Sequence, residues 1–124
     1  VPRPSSGQAL EAAEQEALVA WARLAQAAYP ALKLLHAIPN GGHRHIGTAR
    51  ALQRQGVRPG IPDLFLPHAR AGYHGLYIEM KRRQGGRVEV EQRETIESLR
   101  AEGFRVEVCR GWEAGRAVLV EYLT

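Results

Sequence analysis

Apolar residues recur at three- and four-residue steps between Gln8 and about Tyr29, at Leu10, Ala17, Leu18, Trp21, Leu24 and Ala28. That period predicts a core-facing first helix, with Pro30 as its stop. Leu32 to Ile38 predicts a short strand, followed by the glycine-containing loop PNGGHRH and a second helix from about Ile46 to Gln55, stopped by Gly56. Asp63 to Pro67 and Gly75 to Lys81 are extended runs separated by HARAGYHG, which suits a hairpin or a longer connection. Glu89 to Glu102 predicts a polar amphipathic helix anchored by Ile96 and Leu99 and closed by Gly103. Phe104, Val106 and Val108 then alternate with Arg105, Glu107 and Cys109, a strand period that puts Cys109 on the polar side, before a last helix from about Trp112 to Leu123. The order α, β, α, β, β, α, β, α predicts an α/β fold with a mixed central sheet flanked by helices. No repeat or linker divides residues 1–124, so one domain is expected, with 1–7 as a flexible lead.

Composition narrows the setting. The chain is 44% hydrophobic and 24% charged, which suits a globular domain rather than a disordered segment. Its single cysteine, Cys109, cannot form an internal disulfide, and no cysteine pair stands at zinc-ligand spacing. A reducing, cytoplasmic location is expected, since no apolar run approaches the roughly 20 residues of a membrane helix and the first residues lack a signal-peptide pattern. The net charge of +4 is unevenly spread. From Ala17 to Ile78, Asp63 is the only acidic residue against seven Arg or Lys, a surplus of +6 that leaves −2 for the rest. A basic surface around a lone carboxylate suits a polyanion such as DNA, because each cation placed on a phosphate releases counterions. A solubilising basic face would account for the bias equally well.

The sharpest chemical feature is Ile61-Pro62-Asp63-Leu64-Phe65 followed by Tyr77-Ile78-Glu79-Met80-Lys81. Strand alternation places Tyr77, Glu79 and Lys81 on one face and Leu76, Ile78 and Met80 on the other. Pro62 has no N–H and belongs at a strand start or edge, so Asp63 falls near the end of a neighbouring strand and two carboxylates can converge. Asp63 and Glu79, with the Met80 carbonyl, are a sufficient oxygen set for Mg²⁺ or Mn²⁺. Lys81 on the same face can hold a phosphate oxygen or orient a water. The duller explanation is a solvated ion pair, worth little. Asn40 suits a contact to DNA or simply a turn. Arg44, Arg50 and Arg54 make a candidate phosphate ridge, which Gly56 and Pro59 break before Arg58, and Arg82 and Arg83 follow the candidate catalytic strand. His43 and His45 lack a third partner for a zinc site, and Cys109 lacks a base.

Taken together, IPNGGHR, GVRPGIPDLFLP, GYHGLYIEMKRR and EQRETIESLRAEGFRVEVCRGWEA, in that order, resemble the VRR-NUC family, the virus-type replication-repair nucleases of the PD-(D/E)XK superfamily. The resemblance spans roughly Gln8 to Leu123 and implies a restriction-endonuclease-like core. It puts Asp63, Glu79 and Lys81 in the places of the family's acidic and lysine catalytic residues, and Gln92 in that of its following-helix glutamine. It further implies an acidic residue on the first helix, for which Glu11, Glu14 and Glu16 compete. Glu14 is preferred here, four and seven residues before Leu18 and Trp21 on the inward stripe. The function so implied is a Mg²⁺- or Mn²⁺-dependent, structure-selective DNA endonuclease from a bacterial or phage setting. In particular it suggests a homodimeric Holliday-junction resolvase in DNA repair, with branched DNA as partner and no organic cofactor. A nickase or flap endonuclease of broader DNA choice, and a non-catalytic DNA-binding module, are the alternatives.

Overall fold

The computed structural model describes residues 6–39 and 46–124. Helix α1 (Ser6–Leu24) runs through two short 3-10 turns into strand β1 (His36–Ala37). Then come α2 (Ile46–Arg54), the strands β2 (Leu64–Leu66) and β3 (Leu76–Lys81), α3 (Val90–Ala101), β4 (Arg105–Arg110) and α4 (Trp112–Leu123). The sheet order is β1-β2-β3-β4. The first two pairings are antiparallel and the last is parallel, so the sheet is mixed, as the element order predicts. The parallel step needs a crossover, which α3 supplies.

One face of the sheet carries Leu64, Leu66, Leu76, Ile78, Met80 and Cys109, which pack under Leu18 and Ala22 of α1 and Leu119 and Tyr122 of α4. By alternation the other face carries Phe65 and Tyr77, whose rings stack at 4.2 Å, with Phe104 edge-on to both. Ile96 of α3 and Val106 of β4 are buried as well. Helix α3 closes as its sequence predicts. Gly103, at φ 95°, turns the chain back so that Phe104 N donates to Leu99 O (3.1 Å) and Gly103 N to Arg100 O (3.0 Å), satisfying carbonyls the helix would leave open.

Three expectations need correction. The strand expected over Leu32–Ile38 is only two residues long, because Pro30 sets the backbone for a helical start and Pro30–Leu34 forms a 3-10 turn with Leu32 buried. Leu10 and Leu24, counted on the core stripe of α1, are 56% and 86% exposed, since the contact with α4 and the sheet runs through Leu18 and Ala22. Cys109 is buried in the core and Val108 is the exposed one. The parallel register sets Cys109 beside Met80 and Val108 beside Glu79, at the sheet's edge.

The connection between β2 and β3 is a hairpin closed by reciprocal Arg70–Tyr73 backbone bonds, with Ala71 (φ 53°) and Gly72 (φ 85°) at its tip. Both central residues sit at positive φ, a turn that favours Asn-Gly or Gly-Gly. Ala71 carries a Cβ in the left-handed region, where a non-glycine side chain is strained. Ala71→Asn or Ala71→Gly is therefore expected to stabilise the protein by about 0.5–1 kcal/mol, read as a raised melting temperature. A lowered one would show that the turn carries no strain.

Candidate active site

The site grows from the place where the β2–β3 ladder ends. Leu64 pairs with Ile78, and β3 runs on to Lys81 without a partner in β2. Residues whose backbone faces β4 alternate with those facing β2. Gly111 N donates to Lys81 O on the β4 side (3.0 Å), so Met80 presents its N–H towards β2. Asp63 fills the missing rung: its Oδ2 accepts Met80 N at 2.7 Å. The N–H and C=O of one strand residue leave by the same edge, so the Met80 carbonyl also faces the Asp63 side. Pro62 is buried, and Asp63 O accepts Ile38 N at 2.8 Å, which fixes the aspartate against both neighbouring strands.

Glu79 and Lys81 share the opposite face from Met80, as the alternation predicts, yet they are no solvated pair. Glu79 is 3% and Lys81 6% exposed. Lys81 Nζ lies 3.4 Å from Glu79 Oε2 and donates to Gln92 Oε1 at 3.3 Å, while Gln92 Nε2 donates to the same Glu79 oxygen at 2.6 Å. Gln92 Oε1 also accepts Glu89 N at 3.0 Å, within the capping box that starts α3. The amide of Gln92 is thereby fixed in orientation. Turned over, its NH₂ would face two donors, the Lys81 ammonium and the Glu89 N–H. The helix cap and the buried Glu79–Lys81 pair share one side chain.

Glu79 Oε1 is buried and receives no hydrogen bond among the described residues. Burial, then the nearby Asp63 carboxylate, push the Glu79 carboxyl up to about 8, against the opposing pull of Lys81. Taking two charges out of water costs several kcal/mol per ion, and an ion pair repays that only when its remaining lone pairs are also satisfied. Here Glu79 keeps its proton up to about pH 8 beside the Asp63 carboxylate, a place a cation would take in exchange for that proton. Such an arrangement is poorly explained as a stabilising contact and well explained as a prepared cation or substrate site.

These residues line an open cleft of about 890 Å³ whose second wall is α1, with Glu11, Gln15 and Glu16 facing Asp63, Glu79, Met80, Lys81 and Gln92. Gly86, at φ 64°, leaves room for the Glu11 carboxylate, whose Oε2 lies 3.1 Å from where a Cβ would stand. Among the described residues no three His, Cys, Asp or Glu side chains gather as a metal cluster. Asp63, Glu79 and the Met80 carbonyl could hold a divalent cation, which ordinarily takes one or two carboxylates plus water in the case of Mg²⁺.

The structure brings together Asp63, Glu79, Met80, Lys81 and Gln92 and sets Glu14 apart. Glu14 does lie on the inward stripe of α1, but inward at that level is the start of α4. Its Oε1 accepts Trp112 N at 3.0 Å and its Oε2 pairs with Arg83 Nε at 3.1 Å. The residue before α4, Gly111, has no capping side chain, and Glu14 supplies the cap from another helix. Glu11 is the α1 acid facing the cavity beside Gly86. Its signal was the Gln8–Glu11–Gln15 spacing at three- and four-residue steps, with Glu11 seven residues before the buried Leu18 and so on nearly the same face of the helix. Glu14→Ala is expected to cost about 1–2 kcal/mol of stability and to leave cleavage chemistry unchanged. Loss of chemistry with stability intact would return Glu14 to the site.

The arginines are dispersed. Arg83 is held by Glu14 and Glu113, and Arg82 donates to Gln84 O within its own loop (2.9 Å). Both are candidate DNA contacts from the sequence, and each has a partner within the protein. Arg50 and Arg54 are exposed on α2 and do not line the cleft. Asn40, His43, Arg44 and His45 lie outside the described residues. Burial pushes the Cys109 thiol up to about 12, so it offers no nucleophile.

The VRR-NUC domain matches residues 6–113. The chain belongs to the VRR-NUC family. A solved structure described as a VRR_NUC domain protein is 28% identical and superposes with a TM-score of 0.73, over 90% of this chain and 86% of that one. No curated protein matches. Membership makes this a nuclease-type domain with a restriction-endonuclease-like fold, and the matched span includes Asp63, Glu79, Lys81 and Gln92. Among the described residues no helix is long and apolar enough to cross a membrane.

Proposed function

We propose that this VRR-NUC domain is a divalent-metal-dependent endonuclease that hydrolyses DNA phosphodiester bonds at branched structures, acting on four-way junctions as a homodimer. The observation that carries the catalytic reading is the buried Asp63–Glu79–Lys81 cluster, with one carboxylate oxygen left without a donor at the floor of an open cleft. Asp63, Glu79 and the Met80 carbonyl would hold Mg²⁺ or Mn²⁺, with Glu11 and Glu16 of α1 in the same cleft lining. The cation would supply Lewis-acid stabilisation of charge on the phosphate.

The protein's own groups do the rest. Lys81 brings a cation to the negative charge that builds up on the phosphate oxygens as water attacks phosphorus and the ester oxygen departs. Gln92 holds Lys81 and Glu79 at fixed positions through an amide that the Glu89 N–H prevents from turning over. Asp63 is aligned by the Met80 N–H before any substrate arrives. Such preorganisation accelerates reaction because nothing need reorganise in the transition state.

The raised carboxyl has a signed consequence. Glu79 binds its proton more tightly folded than unfolded, so in chelator that contribution to stability is fully present below the ordinary carboxylate range and is lost as pH rises through about 8. A cation favours the ionised form, so Mg²⁺ affinity is expected to climb with pH up to about 8 and level off above it. Calorimetric titration in two buffers of different ionisation enthalpy checks this. Proton release on Mg²⁺ binding at neutral pH is the expected result, and none would contradict the ligand role of Glu79.

Substrate choice is tested with an immobile four-way junction, a flap, a nicked duplex and an intact duplex. Symmetric paired cuts on the junction support a resolvase, because a two-fold dimer presents two matched sites. Equal cutting of all four favours a nickase or flap nuclease of broad choice. Binding without cutting is the signature of a non-catalytic module.

A further inference from the structure

Lys81 ends β3 and Gln92 lies in the first turn of α3, so the meeting of their side chains at 3.3 Å depends on the path of the loop between them, residues 82–89. One side chain from a different strand holds that loop. Arg110, the last residue of β4, stands beside Lys81 in the parallel register. Its guanidinium donates through Nη1 to Gly85 O at 2.6 Å and to Arg82 O at 3.4 Å, and through Nη2 to Gly86 O at 3.1 Å. Arg110 is exposed, so water could satisfy its donors. Both terminal nitrogens are instead spent on backbone carbonyls of one loop, a use that fits the rigid fork of a guanidinium and not the single point of an ammonium.

The loop is shaped to receive that fork. Gly85 and Gly86 are both left-handed, at φ 71° and 64°, a conformation glycine adopts without steric cost, and both of their carbonyls reach the same guanidinium. The far side of the loop meets α1. The Arg82 guanidinium fills the space that a Cβ on Gly7 would need, and Gly86 leaves room for Glu11 Oε2. A clamp on residues 82–86 therefore holds two things at once, the approach to α3 that carries Gln92 and the contact with α1 beside Glu11.

We propose that Arg110 is a positioning residue for cleavage. By clamping the β3–α3 loop it fixes the Gln92 amide against Glu79 and Lys81, and it does so by the shape of its guanidinium rather than by its charge. This rests on the nuclease reading and deepens it. Arg110 is not part of the cleft lining, so it acts through the loop and touches no reacting atom.

The test compares the parent protein with Arg110→Ala and Arg110→Lys, each checked by a melting curve. Cleavage of a labelled four-way junction in Mg²⁺ is followed under single-turnover conditions over a range of protein concentrations. Hydrogen exchange of the Gln92 side-chain NH₂ is followed by NMR in the absence of DNA and metal. In both variants the rate at saturation is expected to fall about tenfold, the usual scale for losing a group that orients the reacting residues. The concentration at half-saturation should change by less than about twofold, because no binding contact is removed. Exchange of the Gln92 amide should be about tenfold faster in both, as local opening becomes easier.

Arg110→Lys is the deciding variant. It keeps the charge but cannot span three carbonyls, so parent-like cutting by Arg110→Lys beside a slow Arg110→Ala would make the role one of charge and overturn the proposal. A changed half-saturation with an unchanged maximal rate would do the same, placing Arg110 on the DNA. Parent-like cutting by both variants leaves the nuclease and removes the clamp. If the parent protein cuts nothing, the nuclease reading falls, and Gln92 exchange alone decides whether Arg110 holds the cluster: faster exchange supports it and unchanged exchange overturns it.

Discussion

Asp63→Asn is expected to lower DNA cleavage by about 10³-fold or more while leaving the protein folded. The two halves of that expectation come from different atoms. An asparagine Oδ1 can still accept the Met80 N–H that Asp63 Oδ2 accepts at 2.7 Å, so the rung that ends the β2–β3 ladder survives. The substitution also removes a negative charge beside Glu79, whose carboxyl is raised partly by that charge. Stability should be unchanged or slightly higher. What is lost is one of two carboxylates able to hold a divalent cation, and with it the neutralisation of the phosphate. Cleavage rates under single-turnover conditions, together with a melting curve, test both halves. A folded variant that still cuts at the parent rate would remove Asp63 from the chemistry, and an unfolded one would make its role structural.

The largest effect on stability is expected at Gly115, the fourth residue of α4. A glycine inside a helix ordinarily costs about 1 kcal/mol relative to alanine, so its presence calls for a reason. A Cβ there would stand 2.6 Å from Leu18 Cδ2 and 3.2 Å from its Cδ1, and Leu18 has no exposed surface into which to retreat. The glycine is what lets α1 and α4 close over Met80 and Cys109. Gly115→Leu is expected to destabilise by about 3 kcal/mol, at the upper end for overpacked cores, and Leu18→Ala by a similar amount through its cavity. Combined, the two exchange volume across the contact and should recover part of the loss. Chemical denaturation of both singles and the double checks this. Strictly additive losses would show that the two residues do not share the space.

Much of this site is readable in the sequence because strand alternation is a short-range rule. Glu79 and Lys81 stand two apart, so any strand through them presents both to one side, and Pro62 marks where the neighbouring strand begins. Gln92 is reached through the family resemblance, which puts a glutamine on the following helix, and the capping box it closes shows only once the helix start is placed. What could not be read depends on partners distant in sequence. Glu14 looked inward and is inward, but the start of α4, some 98 residues later, waits at that spot rather than the cavity. Cys109 followed a polar alternation that holds for Arg105, which pairs with both Glu107 and Glu121, and for Glu107 itself. Only the parallel register with β3 reveals that Met80 lies alongside it. The strand expected at Leu32–Ile38 failed for a local reason, since the turn begun at Pro30 consumed its first half. Burial of Glu79 and Lys81 is the feature with the most functional weight, and no pattern in the strand itself distinguishes a buried charged pair from a solvated one.

The central claim is metal-dependent phosphodiester hydrolysis at Asp63, Glu79 and Lys81. Its most direct test is incubation of an end-labelled four-way junction with the parent protein in Mg²⁺ or in EDTA, resolved on a denaturing gel. Discrete products in Mg²⁺ that are absent in EDTA, and absent with Glu79→Gln, are the predicted result. Intact DNA in Mg²⁺ and in Mn²⁺, or cleavage that persists in EDTA, would contradict it.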